Sequence, residues 1–380
     1  MPISRRRFLH AAAAAVPLVS VVTRLRAQSP ALPGRITRMQ SPVNLEMNFA
    51  GLNGFITPND LFYVRNHFSQ PKIDVAAWRL KIEGAVNKPL ELTLDDVKEL
   101  SVKRRRLMLE CAGNGRVYLT PAAKGVNWQL GAVGNADWTG VTLADVLDRA
   151  DVKSSAVEVV LEGADTGVIA DPQSPGPIAF ARSLPLEKAR KPEVILAWHM
   201  NGMDLSPEHG APLRAVVGGW YGMASVKWLK RIVVVEQPFQ GFFQSLDYTY
   251  FRRIHGLPSL TAITAIPVKS QIARPSQDEI IESGKPYKVV GAAWAGEADV
   301  AKMEISVDGG KTWSEAALSG EAVPFCWRLW TFMWKEPAKG RTTVMARATD
   351  SNGVSQPRDH DPDRRNYMIT HVLPVEVEVK

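Results

Sequence analysis

Leu109-Glu110-Cys111-Ala112-Gly113-Asn114-Gly115-Arg116 sets an apolar approach against a glycine- and asparagine-rich turn, with a thiol at the junction. In Leu107-Met108-Leu109-Glu110-Cys111 the two-residue period of a strand puts Leu107, Leu109 and Cys111 on one face. The sulfur then points inward at a strand end, and the turn after it lets backbone come close to a bulky group. A lone inward thiol at such a turn suits a thiolate that binds a soft metal or attacks an electrophile. A buried structural cysteine fits the same eight residues. The chain holds only one other cysteine, Cys326, in the aromatic run Phe325-Cys326-Trp327-Arg328-Leu329-Trp330. That run reads as core, so both thiols are expected to be unpaired.

The N-terminus carries Ser4-Arg5-Arg6-Arg7-Phe8-Leu9, an Ala/Val/Leu run to Val22, and small residues near Ala27. A charged start, a short apolar stretch and a cleavage site predict a twin-arginine export signal over residues 1–27 and a periplasmic mature protein. The apolar run is short for a bilayer span, so a retained anchor is the lesser reading. These residues hold five arginines and no acids; removing them takes the net charge from +7 to +2. So mild a balance argues against a nucleic-acid partner but favours small anions.

The length of 380 residues accommodates two domains. Over 35–260 helix and strand signals mix. Helices are expected to start at Leu92–Val97 and Leu143–Leu147, and buried strands at Val157–Leu161, Val194–Trp198 and Arg214–Val217. From 265 to 380 the chain reads as six or seven short strands about ten residues apart. Among them are Met303–Val307 before the turn Asp308-Gly309-Gly310, then Lys288–Trp294, Trp327–Trp334, Thr342–Ala348 and Val372–Val379. The expected fold class is α+β: a mixed α/β domain followed by an all-β sandwich of immunoglobulin type. Gly310-Lys311-Thr312 is no phosphate loop, since Ile305 stands where its first glycine belongs. No Cys-x-x-Cys-His is present for covalent haem, and no cysteine–histidine cluster for zinc.

Further polar groups sit in apolar surroundings: Arg65-Asn66-His67, Glu162-Gly163-Ala164-Asp165, His209-Gly210-Ala211-Pro212-Leu213-Arg214, Ser225-Val226-Lys227-Trp228 and Asp247-Tyr248. Each alone has a plain structural explanation. With Cys111 they resemble the sulfite oxidase family of molybdenum enzymes, from about Pro58 to the C-terminus. The resemblance rests on Cys111-Ala112-Gly113-Asn114, Arg65-Asn66-His67, His209 to Arg214, Val226 to Leu229, Met200-Asn201-Gly202 and Trp138-Thr139-Gly140-Val141 with Leu143, all in family order.

The resemblance implies a molybdenum–molybdopterin cofactor held through Cys111, followed by an immunoglobulin-like domain that makes a homodimer. A soft thiolate suits a metal already bound by sulfur. Donors for the pterin phosphate would be His209, Arg214, Ser225 and Lys227, with Arg65, Asn66, His67 and Asp165 also at the cofactor. The implied catalytic set is Cys111, Arg65, Tyr248 and Arg365, with Arg364 a neighbouring alternative to Arg365. Gly115 and Gly218 depart from the family's frequent arginine and proline. The implied reaction is oxidation of sulfite to sulfate by oxygen-atom transfer, with electrons leaving to a separate periplasmic cytochrome c. Rival readings are the molybdenum subunit of a sulfur-oxidising complex (a sulfane dehydrogenase), an oxo-transfer reductase, and a scaffold protein with a degenerate site. The second domain argues against the reductase, and retention of Cys111, Arg65, Lys227 and Tyr248 against the scaffold.

Overall fold

Strand Lys103–Glu110 buries its last four residues and delivers Cys111 immediately beyond its end. It pairs antiparallel with Val133–Thr142, which pairs with Val194–Met200. On the far side of Val194–Met200 lie Arg214–Val217 and the two-residue strand Met203–Asp204. Leu107, Leu109 and Cys111 share one core cluster with Trp128 and Trp138, whereas Met108 packs into another, as strand alternation requires. The computed structural model describes residues 34–380, so the export signal expected over 1–27 lies outside the described residues. Among the described residues no helix is long and apolar enough to cross a membrane.

A second five-stranded sheet orders Leu90–Leu92, Leu80–Gly84, Leu229–Val235, Glu158–Gly167 and Ile178–Pro185. Helix Leu143–Ala150 begins where the sequence predicts, and Leu94–Lys98 begins two residues after the expected Leu92, which instead ends strand Leu90–Leu92. Each opens on a threonine capping box, Thr93 with Asp96 and Thr142 with Asp145, which satisfies amides left free by the first turn. Glu158–Gly167 outruns its expected end at Leu161. It continues through a bulge between Glu162 and Thr166, so Asp165 lies within the strand rather than after it. Gly163 permits this, because a Cβ there would sit 2.6 Å from Asp165 Oδ1 and 2.8 Å from the Lys227 carbonyl.

Beyond residue 265 two sheets, of four and five strands, enclose a core of alternate residues including Ile272, Val289, Trp330, Ile305, Val344 and Val377. The strands number nine rather than six or seven. The surplus comes from pieces as short as Ser314–Glu315 and Ala317–Ser319, which hold too few positions to show alternation. The last strand starts at Val375 rather than Val372, since Pro374 has no amide to give a ladder. Ala273, Ala292, Trp294 and Trp327 pack into the core of the preceding sheets, so hydrophobic packing is continuous across the expected boundary. Cys111 and Cys326 are both buried and free, as expected.

Candidate active site

A cleft with about 640 Å³ of atom-free space gathers Arg65, His67, Cys111, Asp165, His209, Arg214, Ser225, Lys227 and Tyr248 on its walls. These residues come from six separate stretches of chain, and the fold brings them together. Asn66 stands one bond behind the wall, its Oδ1 accepting from Lys227 Nζ. Arg365 is not part of the lining. Its guanidinium donates to the hydroxyl and carbonyl of Thr249, the residue after Tyr248. Arg364 is drawn away to Asp361, 3.4 Å from its Nε.

The Cys111 turn is fixed from both sides. Its N–H donates to the Ala132 carbonyl at 2.9 Å, and its carbonyl accepts from the Asn114 N–H at 2.9 Å. Burial pushes the thiol above its ordinary range, and the charges of Arg65 and Arg116 pull it down. Arg116 is buried, with Nη1 donating to the Val126 carbonyl, Nε to the Asn366 carbonyl, and its plane 4.9 Å from the Tyr367 ring. A Cβ on Gly113 or Gly125 would come within 2.5 or 2.7 Å of that guanidinium, so both glycines make room for it.

Three of the five Arg214 donors go to carbonyls of Ala215, His209 and Ser225, stapling two loops together. Ser225 Oγ accepts from the Val217 N–H at 3.0 Å, which leaves its own proton for the cleft. His209 is pushed down to about 4 by burial, and its Nε2 lies 3.2 Å from the Asn59 carbonyl. A carbonyl only accepts, so Nε2 carries the proton and Nδ1 is the acceptor. Lys227 is held well below the ordinary lysine range by burial and by Arg214. It lies 4.2 Å from the Trp228 ring centre and donates to the Glu208 carbonyl at 2.9 Å. Trp228 takes a left-handed backbone (φ +51°), strained for a bulky residue, and its indole N–H to the Pro207 carbonyl holds it there. Burial raises Asp165 to about 6, against the pull of Lys227.

On the opposite wall His67 Nε2 and the Tyr248 hydroxyl are 2.6 Å apart. Burial, then Arg65 and Lys227, holds His67 well below its ordinary range, so it is neutral; burial likewise keeps the Tyr248 proton on oxygen. His67 stacks on Phe180 at 4.2 Å, and Tyr248 ends the irregular turn Phe243–Asp247. Tyr367 packs 4.8 Å from Tyr248 and donates to Asp247 at 2.7 Å, so a loop of the C-terminal region does reach the tyrosine. Tyr63, Phe180 and Glu208 also line the cleft, and nothing in their local pattern singled them out; Trp228 lines it too, from within the Val226 to Leu229 block.

A molybdenum pterin fits this donor set. Among the described residues no three His, Cys, Asp or Glu side chains converge to hold a metal unaided, so a metal at Cys111 must bring other ligands with it. Arg65, Arg214 and Lys227 face only Asp165 and Glu208, and Glu208 is already paired with Arg35 at 2.6 Å. That buried excess of positive charge calls for an anion such as a pterin phosphate. Gly222 lets backbone approach closely there, since its Cβ would lie 2.5 Å from the Tyr63 hydroxyl.

The family profile described as "Oxidoreductase molybdopterin binding domain" matches residues 67–243, and "Mo-co oxidoreductase dimerisation domain" matches 260–376. The chain is 32% identical to chicken (Gallus gallus) sulfite oxidase over 347 residues, 86% of this chain and 74% of that protein. It is 35% identical to the mitochondrial sulfite oxidase of Mus musculus over 322 residues, 80% of this chain but only 58% of the mouse protein. It thus spans less than three fifths of the mammalian relatives it matches. Among solved structures, the sulfane dehydrogenase SoxCD from Paracoccus pantotrophus superposes with a TM-score of 0.79 at 27% identity, covering 93% of this chain and 92% of that one. With the cleft, these matches settle the cofactor class as molybdenum–molybdopterin, and the chain belongs to the sulfite oxidase family of molybdopterin oxidoreductases.

Proposed function

We propose that this protein oxidises sulfite to sulfate in the periplasm and passes the electrons to a separate cytochrome c. Sulfite and water give sulfate, two protons and two electrons. The observation that carries this reading is Arg65 on the cleft wall with the buried Cys111 thiol and the His67–Tyr248 pair, a setting suited to a small oxyanion at a soft metal. The cofactor, when bound, supplies the two-electron oxygen-transfer chemistry. Cys111 is its protein ligand, and Asn66, Asp165, His209, Arg214, Ser225 and Lys227 hold the pterin and its phosphate. A phosphate beside neutral His209 would raise its pKa and turn Nδ1 into a donor.

Arg65 grips sulfite oxygens through its planar fork. His67 donates its Nε2 proton to Tyr248, which frees the tyrosine hydroxyl to donate to the same anion. Because His67 stays neutral, it adds no competing charge to the pocket. Arg365, tied to Thr249, acts on this wall by keeping Tyr248 in place. The β domain pairs two copies of the chain.

A second reading, oxidation of protein-bound sulfane sulfur, is favoured by the likeness to the sulfane dehydrogenase over 93% of the chain. One assay separates the two. Protein matured in a host that makes molybdopterin should contain one molybdenum per chain and reduce cytochrome c on addition of sulfite. Turnover only with a sulfur-loaded carrier protein would replace the first reading by the second. Metal-free, folded protein with no turnover would remove both.

A further inference from the structure

Residues Arg35–Gln40 and Val43–Met47 form a two-stranded hairpin that precedes the matched cofactor domain yet lies against its cleft. Asn44 is fully buried, and two donors converge on its Oδ1: the Asn66 N–H at 2.9 Å and Arg65 Nη1 at 3.3 Å. Its own amide nitrogen donates to the Pro42 carbonyl at 2.8 Å, which fixes the oxygen toward Arg65. The neighbouring Val43 carbonyl accepts from Asn66 Nδ2 at 3.0 Å. With its nitrogen so taken, Asn66 must turn Oδ1 the other way, where it accepts from Lys227 Nζ. The hairpin therefore reaches both wall cations, Arg65 directly and Lys227 through one amide.

Its attachment is built, not incidental. Val64 and Leu45 exchange backbone hydrogen bonds at 2.8 and 2.9 Å, and Arg35 pairs with Glu208, whose carbonyl also takes Lys227. Buried Glu46 accepts from the amides of Gln129 and Gly131, both at 3.1 Å, and pairs with Arg38. Gly131 could carry no side chain, since a Cβ would lie 1.7 Å from the Met47 carbonyl.

We propose that this hairpin is a strap that sets the anion-gripping geometry of the cleft, with Asn44 as a positioning residue for Arg65 and, through Asn66, for Lys227. Substrate recognition by Arg65 and pterin retention by Lys227 thus depend on a residue that touches neither ligand. The substrate half rests on the sulfite reading; the pterin half does not.

The test compares wild type, Asn44→Ala and Asn44→Asp, all matured with cofactor. Released pterin fluorescence gives cofactor content, and steady-state rates give KM and kcat for sulfite. Asn44→Ala is expected to lose at least half its pterin and to raise KM about tenfold or more, with kcat per molybdenum changed less than threefold. Asn44→Asp keeps an acceptor for the Asn66 N–H and Arg65 but sets its second oxygen against the Pro42 carbonyl, so pterin content should recover only in part. Its KM should stay high, because a carboxylate beside Arg65 competes with the anion. A purely structural role would make both variants follow their melting temperatures, which circular dichroism records. The proposal falls if Asn44→Ala keeps wild-type pterin and KM, or if both variants lose pterin only in step with their melting temperatures. Wild type that holds pterin yet ignores sulfite would overturn the substrate, while pterin content would still decide the strap.

Discussion

Lys269 Nζ lies 2.9 Å from Oε1 of Glu110, the residue directly before Cys111, and both side chains are only 1% exposed. Lys269 comes from strand Lys269–Arg274 of the second sheet pair, so a buried ion pair ties that region to the thiol's turn. The ties are doubled. Trp294 Nε1 donates to the other Glu110 oxygen at 2.8 Å, and Lys269 also donates to the Asn114 carbonyl at 3.0 Å. The turn that presents Cys111 is thus held in part by residues more than 150 positions away in the chain.

Removing one partner of this pair should be costly. Lys269→Met leaves Glu110 charged and buried, and a loss of about 3–5 kcal/mol is expected. Pairing it with Glu110→Gln should recover part of that loss, so the double variant is less destabilised than the sum. Denaturant unfolding of the four proteins checks this; strict additivity would show that the two residues do not interact.

Cys111→Ser should fold normally, since the side chains are nearly the same size. Sulfite-dependent cytochrome c reduction should fall to background, because an alcohol is a far poorer ligand for a soft metal than a thiolate. A wild-type rate in this variant would remove Cys111 from the metal site.

Tyr248→Phe removes the hydroxyl 2.6 Å from His67 and leaves the ring packed against Tyr367. Molybdenum content should hold within about a fifth of wild type, while the sulfite rate drops at least about tenfold, the loss expected for one hydrogen bond to a charged anion. An unchanged rate with full metal would exclude the hydroxyl from sulfite recognition.

How much of this could be read beforehand follows from the range of each signal. Cys111, its inward face and the adjacent turn are local facts of alternation and glycine spacing, and the structure keeps them. Asp165 was legible as a polar residue near a strand, but its place in a bulge depends on pairing with Ile178–Pro185, which no local pattern records. Arg116 was visible in the motif, yet its burial against Tyr367 needs the far end of the chain. Asn44 gave no signal: a single asparagine between Val43 and Leu45 in a short hairpin looks like any turn residue. Arg365 shows the converse, a motif match whose side chain is drawn to Thr249 and off the cleft wall. Motif order identified the family; long-range packing decides which side chains reach the cavity.

The cleft also predicts two opposing pH dependences in cofactor-free protein. His209 is held down to about 4 by burial. Between pH 6.5 and 4 the unfolded chain binds a proton there that the native one does not, so stability falls as pH falls. Asp165, raised to about 6 by burial, has the opposite sign. Between pH 6 and 3.8 the native protein holds a proton the unfolded chain lacks, so stability rises as pH falls. Each shift is worth on the order of 3 kcal/mol at most, and the two windows nearly coincide. His209→Gln should therefore lose less stability than wild type on going from pH 7 to 4.5, and Asp165→Asn should lose more. Urea unfolding at a series of pH values measures both slopes. Parallel curves for the two variants would mean that neither group titrates as its burial dictates.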